Sequence, residues 1–147
     1  MDAAALAAAW AEAWHGLGVA QPDEALLTEL LARHGEAHRA YHTLQHLGEC
    51  LALLARERSH AERPAELALA LWFHDAIYDV HGHDNEGLSA AWARDALLAA
   101  GVARDSAARV QALVLATRHD ALPVEPDARL LVDIDLSIIG AAPARFA

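Results

Sequence analysis

Leu44, Leu47, Leu51 and Leu54 recur at the three- and four-residue spacing that gathers side chains on one face of an α-helix, and predict a helix from Tyr41 to about Arg58. The same periodicity extends along most of the chain. A first helix runs from Asp2 to about Leu17, closed by Gly16 and Gly18, and a second is opened by Pro22-Asp23-Glu24 and runs to about Gly35. Pro64 opens a fourth, which passes through Leu71-Trp72-Phe73 to about Tyr78 and is the most apolar of all, so it is placed at the centre. A loop is expected at Val80-His81-Gly82-His83-Asp84-Asn85, then helices from about Glu86 to Ala100, stopped by Gly101, and from about Arg104 to Thr117. Leu122-Pro123 and Glu125-Pro126 mark a connection, and a last helix spans Asp127 to about Ile139 with Gly140 as its stop. There is no alternating strand pattern of useful length, no internal repeat and no low-complexity linker. The expectation is an all-α, single-domain bundle of about seven helices over 1–147.

Composition agrees with this picture. The chain has 147 residues, 55% of them hydrophobic, with Ala and Leu dominant. That favours helix packed on helix and allows a substantial core. A net charge of −10 argues against non-specific nucleic-acid binding, which needs a basic footprint, but leaves room for a local basic pocket. Cys50 is the single cysteine, so no intramolecular disulfide forms, which fits a reducing, cytoplasmic compartment. No apolar run reaches the length of a membrane span. Met1-Asp2-Ala3 lacks a basic start and Glu12 interrupts the apolar stretch, so no signal peptide is expected.

Ten histidines are unusual for this length, and their placement suggests chemistry. His74-Asp75 follows Leu69-Ala70-Leu71-Trp72-Phe73 in the most apolar helix. Burying an imidazole and a carboxylate together is costly unless they pair or bind a cation, and imidazole nitrogen with carboxylate oxygen suits a borderline divalent metal. The bland alternative is a helix-end histidine beside a solvated aspartate, since isolated His-Asp pairs are common.

His42 and His46 lie four apart on one face, with His46 nearer the leucine stripe. His46 is therefore the ligand candidate. His42, one turn away at the rim, is free to move a proton. His34 and His38 continue the spacing upstream and are expected to be solvated. In Asp133-Ile134-Asp135-Leu136-Ser137, Asp135 has Leu131, Ile138 and Ile139 as helical neighbours and is an acid pointed at the core. Asp133 is expected to be exposed and paired with Arg129.

A histidine, then His-Asp, then a distant Asp on separate helices resembles the HD superfamily of metal-dependent phosphohydrolases, over about Arg39 to Gly140. Tyr41-His42-Thr43-Leu44-Gln45-His46 is similar to the Tyr-His-Asn-x-x-His segment of cyclic-nucleotide phosphodiesterases, and Asp135-Leu136-Ser137 to their Asp-Leu-Ser. His74 to Asp79 and Asp84-Asn85-Glu86 resemble segments of small bacterial predicted HD phosphohydrolases. The resemblance implies metal ligation by His46, His74, Asp75 and Asp135, with His42 protonating a leaving group. Asp75 is counted also as a catalytic group, and the alternative for His42 is that it only orients the metal-bound water. The phosphodiesterases carry a further histidine four after the dyad histidine, where this chain has Tyr78. Such proteins also continue past the Asp-Leu-Ser helix, which suggests a domain lacking C-terminal helices.

Arg39, His119 and Glu86 are candidate substrate-binding residues. Arg118 is a weaker candidate, more simply read as a surface charge. Asp79 and Glu86 could each hold a water on a second metal or cap a helix. Capping is the expected role of Asp84 and Asn85. His81 and His83 are read as incidental. Trp10, Trp14, Trp72 and Phe73 are read as core.

The expected function is hydrolysis of a small phosphate ester, a nucleotide among the options, by a metal-activated water. The metal could be Mn, Fe, Co, Ni, Zn or Mg. The alternatives are a non-catalytic nucleotide- or metal-binding module, iron-dependent oxygenation, and a plain helical interaction protein. No nucleic-acid or membrane partner is expected, and oligomeric state is not legible.

Overall fold

The computed structural model describes residues 1–35, 44–78, 82, 84–118 and 122–146, with side chains of the last helix described to residue 138. They form seven α-helices: α1 (Ala3–Gly16), α2 (Glu24–His34), α3 (Leu44–Arg56), α4 (Pro64–His74), α5 (Asn85–Ala99), α6 (Arg104–Ala116) and α7 (Pro126–Phe146), with a 3-10 turn at Arg58–His60 after α3. No strand occurs among the described residues, and no described helix is long and apolar enough to cross a membrane. The all-helical bundle expected from the periodicity is the one observed.

Local chemistry explains most boundaries. The Asp2 carboxylate accepts from Ala5 N–H at 2.8 Å to start α1. Asp23 accepts from Ala25 and Leu26 N–H at 2.9 and 3.2 Å to start α2. Asp84 accepts from Gly87 N–H at 3.2 Å to start α5, as a helix cap should. Pro64, whose missing N–H costs nothing in a first turn, opens α4. Gly18 and Gly101, at φ of 84° and 87°, supply the left-handed turns after α1 and α5.

The apolar α4 is the axis of the fold and packs against α1, α3, α5, α6 and α7. Leu67, Leu69, Ala70, Leu71, Trp72 and Phe73 are all fully buried. Trp10 meets Trp14 and Trp72 edge-to-face at 5.4 and 5.1 Å between ring centroids. Among the described residues the Nε1 atoms of all three find no oxygen or nitrogen acceptor. Two polar ties set helices around α4. Arg109 of α6 donates twice, at 2.8 Å each, to the buried Glu66. Asp127 in the first turn of α7 accepts from Glu62 and Arg63 N–H at 2.8 and 2.9 Å, just ahead of α4.

Three expectations are corrected. The fourth helix ends at His74, not near Tyr78. The His74 ring takes the carbonyl of Leu71 at 2.7 Å, the acceptor a continuing helix would offer to Asp75 N–H. The last helix runs through Gly140 to Phe146; a glycine stop needs a left-handed residue, and the described glycines in that conformation are Gly18 and Gly101. His34 is the last residue of α2 and is buried at 2% exposure rather than solvated, its Nε2 donating to Trp72 O at 3.1 Å.

Candidate metal centre

Three helices bring His46, His74, Asp75 and Asp135 together. His46 lies on the inner face of α3, in register with Leu47, Leu51 and Leu54. His74 is the last residue of α4 and Asp75 its C-cap. Asp135 projects from α7 between buried Leu131 and half-buried Ile138. The anchor at Asp127 fixes the phase of α7, so that a residue just over two turns later, about 12 Å along the axis, faces α3 and α4. His46, His74 and Asp135 are buried, at 6%, 3% and 3% exposure.

Their ligand atoms converge. Asp135 Oδ1 lies 3.0 Å from His46 Nε2 and 3.4 Å from His74 Nε2. Asp75 Oδ2 lies 2.9 Å from His74 Nε2 and 3.8 Å from His46 Nε2. Donors bound to one divalent ion at about 2.0–2.2 Å stand about 2.8–3.6 Å apart when adjacent in a tetrahedral or octahedral shell. The separations fall in or close to that range.

His74 carries the most informative hydrogen bond. A carbonyl oxygen only accepts, so the bond to Leu71 O puts the ring proton on Nδ1. In the neutral ring Nε2 is then a bare lone pair, held in the tautomer typical of a metal-ligating histidine. Nε2 is buried and makes no hydrogen bond of acceptable geometry, although an Asp75 oxygen is 2.9 Å away. The site also lies at the C-terminal end of α4, the negative end of its dipole.

The electrostatics describe the same cluster without a cation. Burial pushes the His74 pKa down, but Asp75, and Asp135 beside it, outweigh this and hold the imidazole well above its ordinary range. Burial pushes Asp135 up, but the bond from His46 and the neighbouring imidazole of His74 outweigh it and hold the carboxyl well below the usual carboxylate range. Charge attraction therefore favours a proton on His74 Nε2, whereas direction gives that proton no acceptor. Direction is the better guide to what the pocket fits, because a hydrogen bond weakens steeply off its axis.

Cys50 was not singled out from the sequence, yet it sits one turn from His46 and is fully buried. His46, Cys50 and Asp135 could be grouped as ligands, as could His46, His74 and Asp75. Geometry separates the two sets. Cys50 Sγ is 3.7 Å from His46 Nε2 and 4.0 Å from Nδ1, nearly equidistant, so it stands beside the ring and off the axis of either lone pair. Burial, then the charges of Asp135, Asp75 and Glu49, hold its thiol far above the usual range. Cys50 packs the imidazole in place.

The other candidates divide. His42, Arg39, His119, His38, Asp79, His81 and His83 lie outside the described residues. Glu86 is half-buried in the first turn of α5 and is not among the described groups that converge at the centre. Arg118 pairs with the α5 cap Asp84, which fits the surface-charge reading. Asp133 is exposed as expected, but Arg129 donates instead to Pro123 O at 3.2 Å.

In comparisons with protein-family models, with curated proteins and with solved structures, the chain matches none.

Proposed function

We propose that the chain is a metal-dependent phosphohydrolase of the HD type, acting on a small phosphate ester or nucleotide. The observation that carries the metal site is the buried, tautomer-fixed Nε2 of His74, set between two carboxylates without a hydrogen bond of its own. The assignment to phosphoryl chemistry rests on the motif resemblance, in which the same four residues are the ligands.

His46, His74, Asp75 and Asp135 would hold the ion. When bound, the metal supplies an acidified water and polarises a phosphoryl oxygen. Asp135 is positioned to keep its charge in a buried site, because His46 and His74 both face it. Asp75, less buried than Asp135, stands at the helix end and can orient a water as well as bind the ion. The Leu71 carbonyl fixes the ring of His74, which therefore offers only Nε2. His42, four residues before His46 in sequence, is assigned the transfer of a proton to the leaving oxygen.

The test is His42→Ala beside Asp135→Ala, each assayed for bound metal and for hydrolysis of a panel of phosphate esters. His42→Ala should retain metal and lose turnover by at least about a hundredfold. Asp135→Ala should lose both. Metal bound by wild type with no turnover on any phosphate ester would refute the enzymatic reading in favour of a binding module.

A further inference from the structure

Among the described residues, seven polar side chains are buried: His34, His46, Glu66, His74, Ser89, Thr117 and Asp135. Three belong to the metal centre. Glu66 is matched by Arg109, and Thr117 Oγ donates to Val114 O within its own helix. Two remain, from different helices, and both bond to the same short piece of backbone. His34 of α2, 2% exposed, donates from Nε2 to Trp72 O at 3.1 Å. Ser89 of α5, fully buried, accepts from Ile77 N–H at 3.0 Å through Oγ.

These bonds bracket the His74-Asp75 dyad. Trp72 lies in the last turn of α4, and its carbonyl is one of those that a helix end leaves without a partner. Ile77 lies two residues beyond Asp75. Between them, Leu71 O is taken by the His74 ring and Phe73 O by Ala76 N–H at 2.9 Å. Asp75 is already off the helix, at φ −115° and ψ 18°, so the α4 ladder alone does not aim its carboxylate. A polar group buried without need is costly, and a small shift of Asp75 would separate its oxygen from His74 and His46.

We infer that His34 and Ser89 are positioning residues, a two-sided clamp that fixes the backbone from 72 to 77 so that His74 and Asp75 meet the ion together. The inference rests on the metal-site reading. It extends that reading to two residues that neither the motif nor the ligand geometry includes. The clamp touches no substrate and no reacting atom. It acts by holding two ligands in register, as outer partners of metal ligands do elsewhere.

The test is cobalt(II) binding to the full chain, measured by chelator competition and by the visible absorption of the bound ion, which reports ligand number and symmetry. Ser89→Ala and His34→Leu should each weaken binding by about tenfold or more and alter the cobalt spectrum. His34→Gln, which keeps an N–H donor, should restore both towards wild type. Arg109→Ala, which breaks the Glu66 pair away from the site, should lower thermal stability and leave affinity and spectrum unchanged. That control separates positioning from general loss of stability, and Ser89→Ala carries the test if His34→Leu fails to fold. Wild-type affinity and spectrum in folded Ser89→Ala would overturn the clamp while leaving the metal site standing. Absence of cobalt binding in wild type would overturn the metal reading, and the clamp with it.

Discussion

At the scale of the residue, a cation bound at the centre would compete with protons. In the metal-free protein, His74 is held protonated to higher pH than usual by Asp75 and Asp135. An ion must displace that proton, because only the free lone pair can ligate. Metal affinity should therefore rise with pH through the neutral range and level off once pH exceeds the folded-state pKa of His74. Titration of metal affinity at several pH values, with proton release followed by calorimetry in buffers of different ionisation enthalpy, checks the sign. Affinity that is flat or falling over that range would contradict it. Asp135→Asn should weaken binding strongly, since it keeps the shape of the acid and removes its charge.

Much of this centre was legible residue by residue. An acid in an apolar stripe, Asp135, and a histidine in another, His46, mark themselves by the cost of burying them. Cys50 was not legible as a neighbour of the site, because a buried cysteine at helical spacing looks like any other small apolar residue. His34 was expected to be solvated because it stands near Gly35, ahead of the third helix. Its reason for burial, the Trp72 carbonyl, lies 38 positions away in sequence. Ser89 carries no sequence signal, since a serine within a helix is ordinary until its partner is known.

At the scale of the element, the helices follow from periodicity and punctuation, and their ends are set by side-chain chemistry. The close of α4 at His74 could not be read from Ala76-Ile77, which contains neither glycine nor proline. The stop comes from a ring nitrogen competing for a backbone carbonyl. Periodicity also says nothing about which helices touch, and the Glu66–Arg109 tie between α4 and α6 was invisible for that reason. Glu66 is 3% exposed and depends on that bidentate pair. Arg109→Ala should destabilise the fold by about 2–4 kcal/mol, because it strands a buried carboxylate. A volume-conserving apolar replacement of both partners should recover most of the loss. Urea denaturation of the single and double variants measures it, and an Arg109→Ala midpoint equal to wild type would show that the tie contributes nothing.

At the scale of the whole molecule, the centre is a junction. Side chains from α3, the end of α4 and α7 meet there, so an ion bound at that point would link three helices that approach one another only in the folded chain. A ligand that binds only the native state stabilises it by about 2.7 kcal/mol at a hundred times its dissociation constant. Thermal unfolding should therefore shift upward with metal and back with chelator, and the shift should vanish in His74→Ala. The shift should be absent for Mg alone or smaller than for Mn, Co or Zn, because two imidazoles are poor partners for magnesium.

Whether this junction holds a metal is decided by metal analysis of the purified chain, wild type beside Asp135→Ala. Wild type should carry a near-stoichiometric transition metal, as purified or after reconstitution, and a folded Asp135→Ala should lose most of it. Equal metal content in the two proteins, or none in wild type after supplementation with Mn, Fe, Co, Ni and Zn, would contradict it. The four residues would then be a buried ion-pair cluster and nothing more.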